Sequence, residues 1–72
     1  MNRYHINIFY SDEDGGYIAD VPDLKFCSAF GKTPSKALKD VQLVKKAWLA
    51  TAKKLGKRIP KGRYRPAMYQ IV

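Results

Sequence analysis

The sequence predicts an α+β fold in the order β-β-β-α-β: a small antiparallel sheet with one long helix packed on one face, in a single domain over 1–72. Three observations predict it. Residues 4 to 30 carry short apolar runs of strand type, separated by turn residues. Residues 34 to 55 carry an apolar stripe at three- and four-residue steps. The last six residues, AMYQIV, return to β-forming types.

Each element has local signals. Over 4–10, YHINIFY alternates. Tyr4, Ile6, Ile8 and Tyr10 point one way, and His5, Asn7 and Phe9 the other, so the strand has one apolar face. SDEDGG is a turn cluster in which Gly15 and Gly16 make the hairpin reversal. YIADV (17–21) is the returning strand. Pro22 and Asp23 end it, because proline has no N–H to give a ladder. FCSAF (26–30) is a third short strand, closed by Gly31.

A helix over 34–55 follows. Thr33 is a good N-cap and Pro34 suits the first helical position. Ala37, Leu38, Val41, Val44, Trp48, Thr51, Ala52 and Leu55 form its stripe. Gly56 stands where a C′ glycine belongs. At 1.5 Å per residue the helix is about 33 Å long. KRIPKGRYRP is a basic, proline-punctuated connection to the last strand, 67–72. That strand can pair at home or add to the sheet edge of another copy.

Size sets the next constraint. A domain of 72 residues buries only about 60% of its unfolded surface, so it needs support. The one cysteine, Cys27, makes no internal disulfide, and one Cys with one His, His5, makes no structural zinc site. A homodimer or higher oligomer is the expected support. A free thiol without staples fits a reducing compartment. The start, MNRYHINIFY, is too short and polar for a signal h-region. No apolar run approaches the ~20 residues of a membrane span. The expectation is a cytoplasmic protein with no membrane partner.

Charge is unevenly spread. Fourteen Lys and Arg against six Asp and Glu give a net +8. Asp12, Glu13, Asp14, Asp20 and Asp23 lie in the first third, and Asp40 is the only later acid. All but one of the basic residues follow Asp23. Lys36, Lys39, Lys46, Lys53, Lys54 and Lys57 fall opposite the apolar stripe, as a solvated helix face does. Such a field favours polyanions.

No catalytic set is visible. Asp12-Glu13-Asp14 lacks the 12-residue calcium-loop pattern and reads as a solvated turn. His5 is a lone histidine on a strand, without a visible Ser, Cys or carboxylate partner, and reads as structural. Trp48 falls in the stripe and reads as core, and Cys27 reads as a small buried hydrophobe. The expectation is no enzyme, no metal ligand and no cofactor.

Gly16-Tyr17, Pro22-Asp23-Leu24, Cys27, Gly31, Thr33, Ala37-Leu38, Leu55-Gly56 and Ile59-Pro60 stand in an ordered series. In that order and spacing the chain resembles the N-terminal domain of HicB-type antitoxins over residues 4 to 60. The resemblance implies a reduced RNase H-like β-β-β-α-β sheet. It also implies a partner-binding role: such domains cover a small basic toxin, HicA, which cleaves mRNA through a histidine. RNase H chemistry itself needs several carboxylates converging on a metal. Strand one offers His5 and Asn7 instead, and Asp20 alone does not serve.

The chain departs from the family pattern at several points. Lys25-Phe26 stands where the family usually has Pro-Gly, Lys36 where it has the capping-box Glu, and Gly62 where it has a second proline. No DNA-binding helix-turn-helix or ribbon-helix-helix follows, so operator binding is not expected. HicB domains tend to be acidic, whereas this chain is basic.

Two functions follow. The first is a HicB-like protein-interaction domain that binds and neutralises a HicA-type toxin. The second is a small basic nucleic-acid-binding module on the same fold. Its candidate residues are Lys53, Lys54, Lys57, Arg58, Lys61, Arg63, Tyr64 and Arg65, a run of bases with one aromatic and no acid. Such a strip gives nonspecific, salt-sensitive contacts.

Overall fold

The computed structural model describes residues 4–64. Three strands and one helix follow in the order β-β-β-α: β1 (Asn7–Ser11), β2 (Gly16–Asp20), β3 (Ser28–Gly31) and α1 (Pro34–Lys54). The sheet is antiparallel in the order β1-β2-β3. The fold class is therefore the α+β arrangement read from the sequence. The last strand expected over 67–72 lies outside the described residues.

Pairing fixes the faces, because residues opposite each other across antiparallel strands share a side. Asn7 pairs with Asp20, Ile8 with Ala19, Phe9 with Ile18, and Tyr10 with Tyr17. Ala29 pairs with Ala19, and Phe30 with Ile18. Ile8, Tyr10, Tyr17, Ala19 and Ala29 thus share one face; Asn7, Phe9, Ile18, Asp20, Ser28 and Phe30 share the other. The hairpin between β1 and β2 is held by the Gly15 N–H donating to the Ser11 carbonyl (2.9 Å), with Gly15 at φ 68°. Gly16 belongs to β2 rather than to the turn.

Helix α1 lies across the Ala19 face and meets β3 and β2 more than β1. Ala19, Val21, Leu24, Cys27, Ala37 and Val41 form the buried core, with Tyr4, Ile6, Tyr17, Ala29, Leu38, Trp48 and Leu49 packed around it. Gly31 makes the close approach possible. A Cβ there would come within 2.4 Å of the Ala37 backbone nitrogen. Thr33 caps the helix, its hydroxyl accepting from the Lys36 N–H (3.1 Å). At the other end Leu55 is the C-cap and Gly56, at φ 70°, is C′. The Gly56 N–H donates to the Lys53 carbonyl (3.1 Å) and the Lys57 N–H to the Ala52 carbonyl (2.9 Å), which is a Schellman close. Lys36, in the first turn, where its charge opposes the helix dipole, is paired with Asp40 at 3.0 Å.

Several boundaries differ from the sequence reading; β1 ends at Ser11, β2 runs one residue earlier at each end and β3 ends at Gly31, and three further shifts have local causes or caps. The first strand begins at Asn7 rather than Tyr4. The helix ends at Lys54, with Leu55 as its cap. The third strand begins at Ser28, because residues 21–27 form two successive turns instead. The Leu24 N–H donates to the Val21 carbonyl (3.0 Å), and the Cys27 N–H to the Leu24 carbonyl (3.3 Å). In the second turn Phe26 takes φ 59°. A positive φ at the third place of a four-residue turn is the type II requirement, which glycine ordinarily meets.

Candidate interaction surfaces

The helix covers one side of the sheet only. On the other side Phe9, Ile18 and Phe30 stand directly across from one another on three adjacent strands. Phe9 is 50% exposed and Phe30 40%. The row is continuous and apolar, one side chain from each strand. Asp20 lies on the same face, between its partners Asn7 and Ser28. At the opposite end of the strands the exposed Asp12-Glu13-Asp14 turn projects. Its Asp14 carboxylate accepts from the Ser11 hydroxyl (2.8 Å), so it is a closed turn of the solvated kind. Carboxylates thus lie to either side of this apolar row along the strand direction, Asp20 on one side and the turn on the other, while Lys32 sits over the Phe30 ring with its Nζ 5.8 Å from the centroid.

A second surface lies where α1 overhangs the sheet. A helix of 21 residues spans about 32 Å, whereas a five-residue strand spans about 17 Å. The C-terminal half of the helix therefore passes over the 21–27 loop. The Trp48 indole N–H donates to the Lys25 carbonyl there (2.9 Å). Trp48 is half-buried against the core, near to its sequence reading. Val44, Thr51 and Leu55 are not covered; Leu55 is 63% exposed. The stripe read from the sequence as one core face is thus wider than the sheet beneath it. Its uncovered flank lines a groove of about 530 Å³ with Phe26, Lys25, Lys57 and Arg58.

The basic connection folds back over the domain. The Tyr4 hydroxyl donates to the Pro60 carbonyl. The Tyr64 N–H donates to both Asp23 carboxylate oxygens (3.1 and 3.2 Å), and its ring tilts against His5 with centroids 4.9 Å apart. His5 itself meets the Asn7 side-chain oxygen at 2.7 Å. Lys53 and Lys54 sit on the last helical turn, and Lys57, Arg58, Lys61 and Arg63 follow it, all exposed. Tyr64 is held by Asp23 and His5, and Arg65 lies outside the described residues. The run therefore puts six exposed cations around one end of the domain, with its aromatic already engaged.

Two titratable groups are shifted. Burial pushes the Cys27 thiol up; Lys45 opposes this and Asp20 adds to it. Burial also pushes the Tyr4 hydroxyl up, with Asp23 adding to it. A buried, raised thiol is unreactive. Among the described residues no group of three or more His, Cys, Asp or Glu side chains is placed to hold a metal ion. None of their helices is long and apolar enough to cross a membrane.

These features define a small α+β domain whose distinctive parts are surfaces. The chain belongs to the UPF0150 family. It is 34% identical over 53 residues to a UPF0150 protein of Synechocystis sp., covering 74% of this chain and 73% of that protein. It is 37% identical over 54 residues to a UPF0150 protein of Thermoplasma acidophilum, covering 75% and 78%. No family model matches the chain, and no solved structure matches it.

Proposed function

We propose that this protein is a HicB-like, antitoxin-type interaction domain that binds and neutralises a small, basic, HicA-type mRNA-cleaving toxin. The observation that carries the reading is the row Phe9–Ile18–Phe30 on the uncovered face, with Asp20 to one side of it along the strands and the Asp12-Glu13-Asp14 turn to the other. Apolar rows supply the desolvated centre of an interface, and flanking carboxylates steer a basic partner to it. The acids gathered on the sheet side of the chain lessen the mismatch between a net +8 and a basic partner. Residues 4–31 hold five acids and one lysine; Lys32 follows β3 with its Nζ 5.8 Å from the centroid of the Phe30 ring, and most of the other cations lie on the helix and beyond it. The domain acts by covering the toxin, not by chemistry, and it is not an enzyme. It works in the cytoplasm as a homodimer or higher oligomer, with an edge strand of the sheet available for self-pairing. Co-expression tests this: the chain should restore growth to cells producing a HicA-type toxin, and Phe30→Asp should abolish the rescue. Unimpaired rescue by a soluble, folded Phe30→Asp chain would refute it.

One observation favours a second reading. Lys53, Lys54, Lys57, Arg58, Lys61 and Arg63 are all exposed, and Asp23 lies beside Arg58, Lys61 and Arg63. In this reading they bind single-stranded nucleic acid nonspecifically. If about four phosphates are engaged, affinity falls with a log–log salt slope of roughly −3. Fluorescence anisotropy of a labelled oligonucleotide across a salt series decides it. No binding at low salt would leave the protein-interaction reading alone.

A further inference from the structure

The groove along the overhanging half of α1 is apolar, rimmed by cations, and guarded by an aromatic in a strained conformation. Phe26 is 94% exposed, the most exposed of the large apolar side chains. It also holds φ 59°, a region that L side chains avoid and glycine tolerates. Packing does not explain the residue, because its ring is almost wholly in water. Turn geometry does not explain it either, because the turn suits glycine better. Backbone strain combined with an exposed aromatic is the kind of outlier that marks a binding surface.

The surroundings say what would bind. The helix presents Val44, Ala47, Trp48 and Leu55 along one wall, and the Phe26 turn forms the other. Trp48 is fixed by its hydrogen bond to the Lys25 carbonyl, so the floor is rigid. The charged residues on the rim are Lys25, Lys57 and Arg58, and no carboxylate lines the groove among the described residues. Beside Phe26 and Trp48 the lining is aliphatic, with Val44, Ala47, Ala52 and Leu55, which suits leucine-like anchors; the oligonucleotide control tests stacking of bases on the two aromatics instead. A second copy of this chain would bring another +8 to a cationic rim. We propose that this groove docks an acidic amphipathic helix of a partner protein. Its apolar side chains would sit between Phe26 and Leu55, and its carboxylates would face Lys25, Lys57 and Arg58. The site is separate from the Phe9–Ile18–Phe30 face and stands or falls independently of the toxin-binding reading.

The probe is a labelled helical peptide with Leu at i, i+4 and i+7 and with Asp and Glu elsewhere, titrated against the intact chain. Three controls accompany it: the same peptide with Lys for its acids, a single-stranded oligonucleotide as competitor, and sedimentation equilibrium of the chain and of its Phe26→Ala variant. Binding should be saturable and weaken with rising salt. Phe26→Ala should weaken it roughly tenfold, as loss of an aromatic anchor does. Arg58→Ser combined with Lys57→Ser should weaken it and flatten the salt dependence. Circular dichroism confirms that the variants are folded. Absence of binding, equal binding of the lysine peptide, or unchanged binding by Phe26→Ala would overturn the proposal. Displacement by the oligonucleotide in a Phe26-dependent manner would assign the groove to nucleic acid, and self-association that Phe26→Ala abolishes would assign it to a second copy. Either result overturns it.

Discussion

The ring of Phe30 lies over Gly16 on the uncovered face of the sheet. A Cβ at Gly16 would come within 2.5 Å of two ring carbons and within 2.9 Å of the Gly31 carbonyl oxygen. The glycine is therefore what leaves room for the Phe30 ring. Gly16→Ala should push the ring out and strain the β2–β3 pairing, destabilising the fold by about 1–3 kcal/mol. For a domain of this size about 1 kcal/mol lowers Tm by roughly 4–8 °C. Thermal unfolding followed by circular dichroism checks this; an unchanged Tm would show that the ring yields freely.

Gly31 should be the more severe position. The Cβ of Gly31→Ala would meet backbone, the Ala37 nitrogen at 2.4 Å and its Cα at 2.9 Å. Backbone at a helix start cannot rotate aside as a phenyl ring can. The loss should exceed that of Gly16→Ala in the same unfolding measurement. The reverse order would mean that the first turn of α1 moves easily on the sheet.

Phe26 separates strain from ring. Phe26→Gly should raise stability by up to about 1 kcal/mol. Release of a left-handed conformation is worth about 1–2 kcal/mol, partly offset by glycine's larger unfolded-state entropy. Phe26→Ala keeps the strain and loses almost no burial, so it should stay within about 0.5 kcal/mol of the parent. Urea midpoints for the three chains give the ranking. A glycine variant less stable than the alanine variant would contradict the strained turn.

Much of this was legible in the sequence. Thr33, Pro34 and Gly56 mark the helix ends because capping depends on residues only a few places apart. The alternation of Ile6, Ile8 and Tyr10 with His5, Asn7 and Phe9 gave the faces of β1 correctly. Phe26 hid the start of β3, since an aromatic beside Cys27 reads as strand while the turn places it at positive φ. Val44, Thr51 and Leu55 read as core because periodicity reports one face of a helix, not how far the sheet extends beneath it. The place of residues 57–64 rests on contacts distant in sequence, Tyr4 with Pro60 and Asp23 with Tyr64, which no local pattern carries.

The raised Cys27 and Tyr4 groups set the alkaline limit. Both fold with the neutral form favoured, so in alkali the folded state holds protons that the unfolded chain has released. Their contribution is complete below the ordinary thiol value of about 8.5 and is lost as pH rises through the raised folded values. Stability should fall above that point, and Cys27→Ala should remove the thiol's share of the slope. At neutral pH the thiol should react slowly with an alkylating reagent in the folded chain. Rapid modification without unfolding would contradict its burial.

The most direct test of the interaction face is a titration of isotopically labelled chain with a HicA-type toxin, followed by amide chemical shifts. The account predicts a saturable complex, with the largest changes at Phe9, Ile18, Asp20 and Phe30, and its loss in Phe30→Asp. Absence of shifts, or shifts confined to Lys53–Arg63 at the basic end, would contradict it.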